Sequence, residues 1–158
     1  MSDAAESTSR ERALEVLRAY ANGDADAVED AVSGLDDGGW VEVYAILGGL
    51  LNTTVGIAEL TGTRHPLERV VRCADEVAAV APPHYEFAIS EATRAWARGD
   101  QDALRAMSGR DLPGAAHMTA VFVTVLGVSL WGRAGFLGVL RTFHDTVVSL
   151  TDEQRYEG

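Results

Sequence analysis

Arg18-Ala19-Tyr20-Ala21-Asn22-Gly23-Asp24-Ala25-Asp26-Ala27-Val28 returns 76 residues later as Arg94-Ala95-Trp96-Ala97-Arg98-Gly99-Asp100-Gln101-Asp102-Ala103-Leu104. Seven of the eleven positions are identical, and Tyr20/Trp96 and Val28/Leu104 are conservative pairs. Two weaker matches follow in the same order. Leu47-Gly48 stands in the context of Leu126-Gly127, and Val71-Arg72 falls opposite Leu140-Arg141. Three ordered matches point to a tandem duplication, with about ten residues lost before the last helix of the second copy.

Each copy reads as four helices. Ala13, Val16, Leu17 and Tyr20 recur at i, i+3, i+4, i+7, the stripe of an amphipathic helix from about Ser9 to Ala21. Gly23 is a left-handed stop, and Asp24 can cap the next helix by accepting from its free backbone N–H groups. Asp26 then opposes the helix dipole in the first turn. Gly99, Asp100 and Asp102 repeat the pattern, so folding explains the paired aspartates without catalysis. The third helix of each copy is apolar. No charge falls between Glu42 and Glu59, nor between Asp111 and Arg133. The fourth helices run from His65 to Val80 and from Ala134 to Leu150, and Pro82-Pro83 separates the copies.

The expectation is an all-α protein of about eight helices, built from a duplicated four-helix unit and packed as one bundle-like domain. Copy one covers about 9–80 and copy two about 84–150, with disordered tails at 1–8 and 152–158. An approximate two-fold axis should relate the copies. The two uncharged helices should pack together as soluble core, with Gly48 and Gly127 at their crossing, where a missing side chain lets backbones approach. Membrane association is disfavoured because His117, Thr119, Thr124 and Ser129 dilute one helix and Asn52, Thr53 and Thr54 the other. No basic cluster flanks either.

Composition narrows function. The 158 residues are 47% hydrophobic and carry a net charge of −11. One domain with its own core is expected, and a nucleic-acid partner is not, since that needs a basic face. All 13 basic side chains are arginine, and they are scattered singly. The start, Met1-Ser2-Asp3-Ala4-Ala5-Glu6, lacks the basic-then-apolar order of a secretory signal, so a cytoplasmic location is expected. Cys73 stands alone and makes no disulfide framework.

Ala13 to Val32, with its Tyr-Ala-x-Gly-Asp-x-Asp-Ala centre, resembles the opening helices of the SnoaL-like fold. That resemblance implies a cone-shaped pocket of helices and a curved sheet. It covers about 20 residues. The following stretch, Trp40 to Gly56, carries helical spacing where strands should stand, so no functional residue is carried over.

No catalytic constellation emerges. His65, His84, His117 and His144 never pair at i+3 or i+4, so neither a metal nor a cofactor is expected. Charge is lopsided instead: residues 1–79 hold a net −9 and residues 80–158 a net −2. The first reading is therefore a non-catalytic interaction module that binds a protein partner through Asp26, Glu29, Asp30, Asp36 and Asp37. Glu29 and Asp30 stand where the second copy has Arg105 and Ala106, a difference folding does not require. The alternative is a small-molecule-binding protein or enzyme with a pocket between the central helices, lined by Tyr44, Asn52, Thr53, His117, Thr124 and Trp131. A homodimer is compatible with either.

Overall fold

The computed structural model describes residues 2–61, 67–97 and 111–156. These form six helices and no strand: α1 (Ser2–Asn22), α2 (Ala25–Val32), α3 (Asp37–Thr61), α4 (Leu67–Ala78), α5 (Pro83–Ala97) and α6 (Leu112–Tyr156). The all-α class is as expected, and the curved sheet of the SnoaL-like fold has no counterpart among the described residues.

Three aspartates set the starts of helices. Asp24 accepts from the Ala27 N–H at 3.1 Å, Asp36 from Gly39 at 2.7 Å and Asp111 from Gly114 at 2.6 Å. Each satisfies a backbone donor that a helix N-terminus leaves without an intrahelical partner. The end of α1 is equally legible. Gly23 has φ +67°, the Gly23 N–H donates to Tyr20 O and the Asp24 N–H donates to Ala19 O. This pair of bonds is a Schellman stop. Pro83 opens α5, where its missing N–H costs nothing.

The core forms where α1, α3 and α6 meet. Ala13, Val16, Leu17 and Tyr20 of α1 are buried with Val43 and Leu47 of α3 and with Ala120 to Val125 of α6. Ala120 to Val125 is buried on every side, as a central helix should be. The two apolar helices do pack against each other, but they are not equivalent. Asp37–Leu60 (mean hydropathy 1.4) and Leu112–Thr142 (1.6) are each long and apolar enough to cross a membrane. A soluble core helix meets the same criteria, so burial is the informative quantity. Only 17% of the most apolar window of the first is buried, against 44% of the second. α3 is thus a half-covered helix rather than the expected core element.

Two expectations are corrected. There are six helices among the described residues rather than eight, and they lend no support to the duplication. The short second helix expected in copy two falls at 98–110, outside the described residues, as do Gly99, Asp100, Asp102, Arg105 and Ala106. The expected third and fourth helices of copy two are the two segments of α6, which meet at a non-helical Gly132 (φ +75°, ψ 168°), between the expected end at Trp131 and the expected start at Ala134. Nor do the matched glycines share a role. A Cβ on Gly48 would meet open space, whereas one on Gly127 would lie 2.2 Å from the Phe136 ring. Helix also extends through most of the expected tails, from Ser2 and on to Tyr156. Extending a formed helix adds a hydrogen bond for each residue fixed, so ends outrun the core pattern.

The break in α6 has a direct test. The Gly132 φ/ψ pair belongs almost entirely to glycine. Gly132→Ala is expected to destabilise the protein by about 1–3 kcal/mol, although the residue is exposed. Gly138→Ala, in helical backbone with open space for a Cβ, should stabilise by up to about 1 kcal/mol. Chemical denaturation of the two variants should shift the midpoint in opposite directions.

Candidate functional site

The short helix α2 presents its acids to solvent because its buried positions are few. Val28 and Ala31 face the core, which leaves Asp26, Glu29 and Asp30 exposed. Asp36 and Asp37, at the start of α3, are exposed too. The five carboxylates named from the sequence therefore lie on α2 and the turn that follows it. Among the described residues none of them forms an ion pair; the ion pair found there, Arg94–Asp75 at 3.4 Å, joins α5 to α4. An open groove of about 290 Å³ separates α1 from α2, with small Ala19, Ala27 and Ala31 along it and Glu15, Arg18 and Asp30 at its edges.

Arg12, absent from the sequence reading, serves α2. Its Nη1 donates to the carbonyls of Ala31 at 3.0 Å, Ser33 at 2.9 Å and Asp30 at 3.4 Å. A cation there satisfies the last carbonyls of the helix and complements its dipole. Beside it, the buried Ser9 hydroxyl donates to Glu42. Arg12, Asp36 and Glu42 line a second open groove of about 550 Å³.

The residues of the alternative pocket are scattered. Tyr44, Asn52 and Thr53 are exposed, Trp131 is half-buried, and His117 and Thr124 are buried. Thr53 and Thr124 donate to the carbonyls of Gly49 and Ala120, four residues back in their own helices. None of the six lines either groove described above.

His117 is the centre of a polar cluster that the sequence concealed. It is 3% exposed, and its Nδ1 lies 2.7 Å from the Tyr20 hydroxyl. The rings of Trp40 and Tyr85 stand 5.8 Å and 5.7 Å from the imidazole. Tyr85 in turn donates to Asp111 at 3.3 Å. One residue each from α1, α3, α5 and α6 thus meets at this point. Burial pushes the Tyr20 phenol well above its ordinary value, so it stays neutral. Tyr85 is also raised, first by burial and then by the Asp111 carboxylate. Tyr20 and Trp40 look in sequence like members of apolar stripes, and only their hydroxyl and indole groups hinted at a polar partner.

Cys73 is half-buried, and its thiol is pushed up by burial and by Glu76 against the opposing charge of Arg133. A raised pKa lowers the fraction of thiolate, the form that reacts. No group of three metal-ligating side chains occurs among the described residues. His65 lies outside them, as do the side chains of His84 and His144. No family model, no curated protein and no solved structure matches the chain.

Proposed function

We propose that the chain is a non-catalytic helical module that binds a basic protein partner through the acidic face of α2 and the start of α3. The observation that carries this reading is five exposed carboxylates, Asp26, Glu29, Asp30, Asp36 and Asp37, with no ion pair among the described residues. Arg12, the cation beside them, is turned onto backbone carbonyls instead. Clustered like charges repel one another, and a partner bearing lysine or arginine relieves that repulsion while speeding encounter. The alternative, a small-molecule pocket between the central helices, has less support, because His117, Thr53 and Thr124 already have protein partners.

Asp26→Asn, Glu29→Gln and Asp30→Asn, combined, should cut capture of a lysine- or arginine-rich partner at least tenfold. The thermal midpoint should change little, because the repulsion removed offsets the lost contact of Asp26 with the helix dipole and the substituted side chains are exposed. Capture by the unaltered chain should also fall between about 0.1 M and 1 M salt, as the Debye length shrinks from about 10 Å to 3 Å. Partner capture that ignores both the substitutions and the salt overturns the reading.

A further inference from the structure

The face of α3 turned away from the core reads alike in both directions from its midpoint. Asn52 is exposed. Gly48 and Gly56 stand four residues to either side of it, and exposed Tyr44 and Leu60 stand eight residues to either side. Residues four apart form a ridge on a helix. Val43, Leu47 and Thr54 lie on the opposite face, buried against the rest of the chain. A Cβ on Gly48 or Gly56 would meet open space. Glycine inside a helix weakens it relative to alanine, and packing within one chain gives neither glycine a reason. Charge points the same way. The chain carries a net −11, yet no charge falls between Glu42 and Glu59. Two copies therefore meet along this stretch without the repulsion that the acids of α2 would impose.

We propose that this face binds a second copy of the chain, antiparallel, about a two-fold axis at Asn52. Gly48 of one copy then lies against Gly56 of the other, and the missing side chains let the helices approach closer than the usual separation of about 8–10 Å. Tyr44 of one copy covers Leu60 of the other at each end, and Leu60 is otherwise 90% exposed. Asn52 meets its own counterpart on the axis, where an amide, carrying both donor and acceptor, complements itself. Glu59 falls opposite Ala45 rather than opposite another carboxylate. A two-fold pairing requires one patch that matches itself when reversed, as this row does. A bilayer surface is the poorer occupant, because Asn52 would lose water there without gaining a partner.

The experiment is sedimentation equilibrium of the full chain over a wide range of concentration. One helix pair sits at the small end of interface sizes, so the expected result is a reversible monomer–dimer equilibrium with a dissociation constant on the order of 10–100 μM. Asn52→Asp and Asn52→Arg should each weaken dimerisation at least tenfold, with the thermal midpoint of the dilute monomer unchanged. An equal mixture of the two should restore the dimer as opposite charges meet. In a Cys73→Ser background, Gly48→Cys and Gly56→Cys proteins, mixed and oxidised, should cross-link to each other at least tenfold more than either does to itself. A chain that stays monomeric throughout overturns the proposal, whether or not it binds phosphatidylcholine vesicles. So does a mixture of the charge variants that stays monomeric, or cross-linking that favours Gly48→Cys with itself. None of these variants alters the five acids of the partner-binding face, so failure here is separable from failure of that reading.

Discussion

Gly127→Leu is expected to lower the free energy of unfolding by about 3 kcal/mol, at the upper end of what overpacking a core costs. A Cβ at Gly127 would fall 2.2–2.9 Å from three atoms of the Phe136 ring, and Phe136 is only 2% exposed. The ring therefore has nowhere to swing. Nine residues of straight helix would separate the two positions by about 13.5 Å. They come close because the helical path breaks at Gly132, between them, which brings the Phe136 ring against Gly127. A double-mutant cycle checks this contact. Phe136→Ala alone should cost about 3–5 kcal/mol through the cavity it leaves. Combined with Gly127→Leu, the loss should fall short of the sum by 1 kcal/mol or more, because the leucine occupies the vacated space. Additive losses measured by urea denaturation would break the assignment of Gly127 to Phe136.

Tyr20→Ala should be as damaging, at about 3–5 kcal/mol, because it empties the junction of α1, α3, α5 and α6. Tyr20→Phe isolates the hydrogen bond. It keeps the ring against the core but removes the hydroxyl 2.7 Å from His117 Nδ1, and should cost about 1–3 kcal/mol. The pH dependence supplies a second readout. The folded state raises the Tyr20 pKa above the unfolded value of about 10. Its contribution is therefore fully present below pH 10 and is lost as pH rises from there toward the folded value. Tyr85 shifts in the same direction and adds to the same loss. Unfolding free energy measured from pH 8 upward should decline past pH 10, and more shallowly in Tyr20→Phe. An identical decline in both proteins would assign the alkaline sensitivity elsewhere.

What the sequence determined by itself is the local punctuation of the chain and the chemistry of its exposed face. Gly23 and Asp24 stop one helix and start the next through bonds spanning no more than five residues, so their meaning survives without knowledge of the fold. Pro83 opens a helix for reasons within its own ring. The acids of α2 are exposed because its helical period leaves only Val28 and Ala31 to bury. The Gly-Asp recurrence does not by itself establish a duplication, since a helix stop followed by a cap is a short local signal that a sequence can carry twice.

Only the tertiary structure decided which apolar helix is core. Hydropathy places α3 and the first segment of α6 side by side, yet the first segment of α6 is packed by α1 and α3 while, among the described side chains in the second half of α3, Thr54 alone is buried. Gly48 and Gly127 look alike in sequence, but one faces open space and the other the Phe136 ring. Tyr20 and His117 are 97 residues apart, and nothing near either residue records the bond between them. Periodicity tells which residues share a face of one helix. Which neighbour covers that face depends on the direction in which successive helices leave their turns, and a backbone angle such as that of Gly132 sets it over the whole chain at once.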